Sequence, residues 1–389
     1  MTETFWEEVA GTKILRWENS GLGSNPEPAP SPDLNSESES ESDHGSSSAL
    51  TENRIHNTNN TRVIAEAARI IRNGGLVAFP TETVYGLGAG VFYPGAVERI
   101  FQAKGRPLDN PCIAHLYHVS QVQSLAVDPP AELSTLAAKY WPGPLTLILQ
   151  RRPEVPSAVS AGMPTIAVRI PQHPAALHFL REAGTPVAAP SANVSGRLSP
   201  TAAHHVIEEL AGHIDAILDG GSCPVGVEST VLDLTQTPPV LLRPGAISRE
   251  DLENCLQQPV TLPSGQELSP PASPGMKYRH YAPHARLLLF KGHPEEMRQR
   301  MQEYYTLMKK EKYRVGILCT RENAKLFPEA EVEVLSRQGE AEEAAASLYR
   351  ALRDLDSRGV DIILAESFPE TGIGLALVNR LEKAAAEII

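Results

Sequence analysis

Two short stretches carry side chains suited to an anion. Lys104-Gly105-Arg106 sets two cations about a flexible residue, and Ser191-Ala192-Asn193 offers a hydroxyl and an amide far downstream. Arginine grips a phosphate through two parallel N–H groups and lysine supplies a point charge, so together the stretches fit a polyphosphate. Ser199-Pro200 reads as an N-cap followed by proline in a first helical turn, where free backbone N–H groups favour an anion. Plainer readings stand beside these: Lys and Arg also suit a solvated helix end, and a simple capping loop collects serines in the same way.

Other residues qualify or exclude chemistry. In Thr165–Arg169, alternation puts Thr165, Ala167 and Arg169 opposite Ile166 and Val168. An arginine ending such a strand suits a carboxylate or a structural ion pair. Thr81, Thr83 and Tyr85 share a face if residues 81–85 are extended, while Gly86, Gly88 and Gly90 read as a glycine-rich turn. Cysteines at 112, 223, 255 and 319 form no CxxC pair, and Pro283 between His280 and His284 breaks the helix that a zinc pair would need. No direct protein ligand to a metal is expected.

The elements that position these residues follow from composition. With 389 residues, 41% of them hydrophobic, the chain is long enough for two cores. Net charge is −12, but residues 1–60 hold eleven Asp or Glu against three Lys or Arg, so −8 lies there and −4 in the rest. A nearly neutral body argues against a broad nucleic-acid face. No apolar run approaches the ~20 residues of a membrane span, and no basic segment followed by an apolar stretch opens the chain, so the reading is cytoplasmic.

Residues 1–60 read as a disordered acidic Ser/Pro-rich extension, although 3–17 have the apolar content of a small element. From Thr61 periodicity is strong. A helix ends at Asn73-Gly74-Gly75, another runs from Pro94 to Lys104, and strands at 145–149, 165–170, 186–189, 214–218, 230–234 and 240–243 alternate with helices at 174–182, 200–211 and 248–256. This is an α/β domain with a mixed sheet over 61–256. Residues 257–284 begin as a linker, and 285–389 alternate strand and helix as a small Rossmann-like sheet.

In combination, GGLVAFPTETVYGLG (74–88), KGRPLDNP (104–111), WPGPLTLIL (141–149), TIAVRIP (165–171), APSAN (189–193), GVEST (226–230) and LLRPG (241–245) resemble the YrdC-like family in order and spacing. From SPGMKYRHYAP onward the chain resembles that family's longer, two-domain form, the threonylcarbamoyl-AMP synthases. The resemblance implies a mixed twisted sheet with helices and a concave active site, plus the smaller C-terminal domain. It implies a nucleotidyltransferase that condenses L-threonine, bicarbonate or CO2 and ATP into L-threonylcarbamoyladenylate and pyrophosphate, for threonylcarbamoyladenosine modification of tRNA. Threonine would be held by Thr81, His115, Arg169, the Ala189 backbone and Ser229. ATP would meet Lys104, Arg106, Thr165, Ser191, Asn193, Ser199 and Arg243, with Mg2+ carried alongside it. Lys104 and Arg106 would stabilise the phosphates in catalysis.

Lys277, Tyr278, Arg279, His280 and Tyr281 in succession exceed what a spacer needs. They read as a lid that brings Tyr278 and Tyr281 over the nucleotide and keeps water from a labile anhydride, or as packing between domains. Transient contact with the downstream tRNA threonylcarbamoyl transferase is expected, and stable nucleic-acid binding is not. Two other functions compete: an RNA-binding module using the same concave surface, and a hydrogenase-maturation carbamoyltransferase, whose zinc-finger cysteine pairs are missing from this sequence.

Overall fold

The computed structural model describes residues 6–18, 47–263 and 281–389. Eleven strands build the first sheet: β1 (Glu7–Val9), β2 (Thr12–Arg16), β3 (Val77–Phe79), β4 (Gly86–Gly90), β5 (Ile113–His115), β6 (Leu145–Gln150), β7 (Thr165–Arg169), β8 (Val187–Ala189), β9 (Ala216–Asp219), β10 (Thr230–Asp233) and β11 (Val240–Arg243). Their order is β1-β2-β9-β3-β4-β8-β5-β7-β6-β10-β11, and parallel and antiparallel pairings mix. The second sheet holds β12 (Arg286–Phe290), β13 (Val315–Cys319), β14 (Glu331–Val334), β15 (Ile362–Glu366) and β16 (Glu387–Ile388), ordered β14-β13-β15-β12-β16 with every pairing parallel. This is the mixed α/β sheet and smaller Rossmann-like sheet that the sequence implies.

Part of the segment read as disordered is built into the first sheet. Residues 7–16 form a hairpin about Ala10-Gly11, both at positive φ, and β2 runs parallel to β9. Ile14 and Leu15 bury completely enough (2% and 0% exposed) to offset the ordering of a short edge. Thr12 Oγ1 donates to Ile214 O, and Lys13 pairs with Glu66 at 2.5 Å. The following helix starts at Ser47 rather than Thr61 and runs to Arg72. Residues 19–46 lie outside the described residues.

Local chemistry corrects three other expectations. The GLGAG run is the interior strand β4, not a turn: a Cβ on Gly88 would meet Val187 Cγ1 at 2.7 Å and one on Gly90 the Tyr93 ring at 2.3 Å. Close packing, not turning, requires those glycines. The helix expected from Pro94 begins at Ala96 and ends in the left-handed cap Gly105. The helix expected at 200–211 spans Ala203–Leu210, and Ser199 is not its N-cap because the Ser199 hydroxyl donates to Glu228 instead. Ser248 and Asp251 do form the capping box of Arg249–Leu256.

Strand pairing gathers the candidate residues across the middle of the first sheet. β5 and β7 run parallel with His115 beside Arg169, and β8 runs antiparallel to β5 so that Ala189 faces Ile113, two residues before His115. Ser229 leads into β10 and Arg243 ends β11, which pair beyond β6. One apolar cluster joins Val84, Leu198 and Val227 of the first sheet's loops to Ala345, Leu348 and Tyr349 of helix Ala341–Ser357, so the second sheet's layer packs directly on the site.

Candidate active site

A cavity opens there. It is lined by Thr81, Arg106, His115, Arg169, Ala189, Ser191, Asn193, Ser199, Ser229, Arg243 and Tyr281 among others. Lys104 and Thr165 are outside the lining: Lys104 sits just behind it, and Thr165 lies at the opposite end of β7 from Arg169. Tyr278 lies outside the described residues.

Lys104-Gly105-Arg106 and Ser191-Ala192-Asn193 do meet. Lys104 is 1% exposed, and its Nζ donates to Ser191 O at 2.5 Å and to Asn193 O. It clamps the 191–193 loop to the end of helix Ala96–Lys104. Burial, then the nearby Arg106 charge, pushes the Lys104 ammonium well below its usual range. Arg106 instead reaches the cavity while Nε and Nη2 donate to Asn110 O and Pro111 O at 3.2 and 2.9 Å. Across the loop, Ser191 Oγ donates to Asn193 Oδ1 at 2.5 Å, and Asn193 Nδ2 donates to Val194 O and Arg197 O. Lys104 therefore positions the loop, and Arg106 is the cation that an anion would meet.

Arg169 anchors the other wall. Its Nη2 pairs with Glu82 Oε1 at 2.7 Å, Nη1 donates to Thr83 Oγ1 at 2.8 Å and Nε donates to Gly143 O at 3.2 Å. Thr81 Oγ1 donates to Val84 O at 2.6 Å and accepts from the Val84 N–H at 3.2 Å, holding the turn after β3. His115 Nδ1 donates to Ile113 O at 3.1 Å. Burial and then the Arg169 charge hold the ring neutral, its pKa lowered to about 3.

The third wall is shared between the sheets. Ser229 Oγ bonds Thr146 Oγ1 at 2.7 Å, and Arg243 donates to Ser229 O and Oγ at 3.0 and 3.1 Å. Glu228 accepts from Ser199 Oγ at 2.5 Å, from Tyr349 OH at 3.1 Å and from Arg380 Nε at 2.7 Å. Burial opposes its ionisation, but the Arg380 and Arg243 guanidiniums outweigh burial and hold the carboxyl at about 2. Tyr281 closes this wall, 5% exposed, its ring 5.6 Å from that of Tyr349 and 5.6 Å from the Arg380 guanidinium.

Sequence reasoning missed Glu82, Glu228 and Arg197. The first two stand inside the quoted TETVYG and GVEST motifs, and an acid in a loop that must neutralise a buried arginine was the signal available. Arg197 is exposed and lines both this cavity and the adjoining cleft between the sheets. Three buried arginines, small hydroxyls and a weakly basic carboxylate suit the alignment of anionic substrates more than covalent catalysis. Among the described residues, no group of three or more His, Cys, Asp or Glu is placed to hold a metal ion.

Residues 69–245 match the profile of the Sua5–YciO–YrdC family, described as "Telomere recombination", and residues 247–386 match a profile described as "Threonylcarbamoyl-AMP synthase, C-terminal domain". The chain is 49% identical to a threonylcarbamoyl-AMP synthase of Bacillus subtilis (83% of this chain, 92% of the relative). It is 47% identical to that of Pyrococcus abyssi (82% and 92%) and 41% identical to that of Schizosaccharomyces pombe (84% and 88%). The crystal structure of P. abyssi Sua5 complexed with L-threonine superposes with a TM-score of 0.79 at 45% identity, over 84% of this chain and 95% of that one.

Proposed function

The chain belongs to the two-domain Sua5–YciO–YrdC family, and from that premise we infer that its cavity makes threonylcarbamoyl-AMP. The reaction condenses L-threonine, CO2 or bicarbonate, and ATP, and releases pyrophosphate. The observation that carries this reading is the convergence of Arg106, Arg169 and Arg243 on one cavity, each of them buried.

The threonine amine captures CO2, forming a carbamate and losing a proton. A carbamate oxygen then attacks the α-phosphorus of ATP, and the bond to pyrophosphate breaks. Both steps need alignment and charge neutralisation more than a protein nucleophile. The side chains support this. Ser199 Oγ already donates to a carboxylate held at about 2, too weak a base to activate it. Cys112 is buried, its thiol pushed up to about 11. Arg169 keeps N–H groups beyond those used by Glu82, Thr83 and Gly143 for the threonine carboxylate, with Thr81, His115, Ala189 and Ser229 around it. Arg106, Arg243, Ser191, Asn193 and Ser199 take the triphosphate. Lys104 acts through the loop it clamps, and Thr165 would be reached only by the distal part of the nucleotide. Magnesium belongs to this scheme as part of the ATP substrate, because Glu82 and Glu228 are already engaged by Arg169 and Arg380.

Tyr281 stands in the cavity wall, while the rest of the expected lid, residues 264–280, lies outside the described residues. The product would supply the tRNA threonylcarbamoyl transferase by transient contact. Among the described residues no helix is long and apolar enough to cross a membrane. The test is pyrophosphate release by the full chain. It should require ATP, threonine and bicarbonate together and proceed without RNA. Release that ignores threonine would overturn the assignment, and release that needs RNA would favour an RNA-binding module.

A further inference from the structure

The buried Glu228 network links the cavity wall to the second sheet's helices. Arg380, on helix Gly374–Ala384, is 0% exposed, and its Nε meets Glu228 Oε2 at 2.7 Å. Its Nη2 donates to Pro244 O at 3.1 Å, so one guanidinium grips both the GVEST turn and the residue after Arg243. Tyr349, on helix Ala341–Ser357, donates to the same carboxylate. On the cavity side, that carboxylate accepts Ser199 Oγ, and the next residue, Ser229, takes two N–H groups of Arg243.

We propose that Arg380 and Tyr349 are positioning residues for the reaction: through Glu228 they fix Ser199 and Arg243, so the C-terminal domain completes the nucleotide side of the active site. This deepens the functional reading and rests on it. Few residues separate the helices from substrate: Arg380 or Tyr349, then Glu228, then either Ser199 or the Ser229–Arg243 pair. A buried guanidinium fork holds a carboxylate in one orientation, where an apolar residue would leave it free to turn. The opposite wall, with Arg169, Glu82 and His115, is tied to Gly143, Thr83 and Ile113 and shares none of these bonds. The consequence is unequal: disturbing the network should affect ATP more than threonine, which meets it only at Ser229.

A second consequence is a change with pH. Glu228 faces Arg380 and Lys383 of one helix, Tyr349 of another, Arg243 of β11, Tyr281, and the Ser199 hydroxyl. Burial raises its pKa and the arginines lower it, Arg380 first among them. Without Arg380, burial meets weaker opposition, and the carboxyl protonates nearer neutral pH. Protonated, it no longer accepts the Ser199 proton as an anion.

The experiment compares the full-length protein with Tyr349→Phe, Arg380→Lys and Arg380→Met. Threonine- and bicarbonate-dependent pyrophosphate release is measured while ATP and threonine are varied separately from pH 5 to 9, beside thermal midpoints. For Tyr349→Phe we expect kcat/KM for ATP to fall about tenfold, the factor set by one lost hydrogen bond to a charged group. KM for threonine should stay within about twofold. Arg380→Met should lose more and acquire an acid limb that the parent lacks, and Arg380→Lys should recover part of the rate. Equal loss toward both substrates, or midpoints that fall with unchanged kinetics, would overturn the proposal. If Arg380→Met does not fold, Tyr349→Phe decides alone. A parent that releases no threonine-dependent pyrophosphate defeats the functional reading instead, so the two failures are distinguishable.

Discussion

The Arg169 guanidinium meets the Glu82 carboxylate at 2.7 Å, and both side chains are almost wholly buried, at 4% and 5% exposure. Glu82 Oε2 also accepts the Gln172 N–H at 2.9 Å, which ties the turn after β3 to the chain leaving β7. The cavity thus presents an arginine whose charge is already balanced and whose orientation is fixed. A carboxylate entering there exchanges little net charge with the protein, and binding is decided by hydrogen-bond geometry.

Breaking that pair should be costly in stability. Glu82→Ala leaves an unpaired buried cation, which typically costs about 3–5 kcal/mol. The expected result is a lower urea midpoint with an unchanged slope, and a KM for threonine raised more than that for ATP. A Glu82→Ala protein with the parent's midpoint would show that water has replaced the carboxylate and that the pair is not structural.

Stability should fall as pH drops through the histidine range, before most carboxylates titrate. His115 and His205 are both held neutral, with burial the leading cause and pKa values of about 3. The His205 Nδ1 accepts the Thr201 N–H at 3.2 Å, a bond that protonation removes. In the unfolded chain each binds a proton near pH 6.5. Their folded pKa values are lowered, so this stability is complete above about pH 6.5 and is lost toward pH 3, at up to about 1.4 kcal/mol per pH unit for each ring. Glu66 and Glu228, lowered to about 2, lose theirs in the lower window below 4.5. Urea unfolding at pH 7.5 and 5.5 checks this, and His205→Asn should flatten the dependence. Equal midpoints at the two pH values would refute it.

Many strand positions and the second domain were legible because they are written as local periodicity, and Arg106, Arg169 and Ser191 as polar residues at element ends, whereas Ala189, Ser229 and Arg243 were marked only by the family motifs that contain them. Ser248 and Asp251 carry their capping box three residues apart, and structure and sequence agree there. What escaped depends on distance. Ser199-Pro200 has every local mark of a helix start, but Glu228, 29 residues away, takes the serine hydroxyl. Gly86, Gly88 and Gly90 look like a turn because glycine's tight-packing use and its turning use are identical in sequence. The hairpin at 7–16 was hidden by the acidic stretch that follows, since pairing with β9 is settled only in three dimensions. Lys104 was identified by type, yet its work as a clamp rather than a phosphate contact needed the two carbonyls it reaches.

That clamp has its own signature. Lys104→Met keeps much of the buried volume and removes the bonds to Ser191 O and Asn193 O. Pyrophosphate release should fall at least about tenfold, equivalent to ~1.4 kcal/mol. Amide hydrogen exchange at residues 191–195 should rise, because the Ser195 N–H bonds Lys104 O at 2.9 Å within the same corner. Lost activity with unchanged exchange would return Lys104 to a direct role on the phosphates.

Gly226 marks where the two layers touch most closely. It sits at φ +74, and a Cβ there would come within 2.5 Å of Ala345 O and of Ala346 Cα, both backbone atoms of helix Ala341–Ser357. Side-chain rotation cannot relieve that contact, so Gly226→Ala must move the GVEST turn off the helix. The same turn carries Glu228 and Ser229 into the cavity. Gly221→Ala is the matched control: its φ is +88, yet nothing lies within 4 Å of the added carbon. The control bears only the left-handed backbone penalty, about 1 kcal/mol, and should keep near-parental kcat/KM. Gly226→Ala should lower the thermal midpoint further and reduce kcat/KM for ATP by at least about tenfold. If the two variants behave alike, the close approach of turn and helix does not set the cavity wall, and the second layer serves the site only as support.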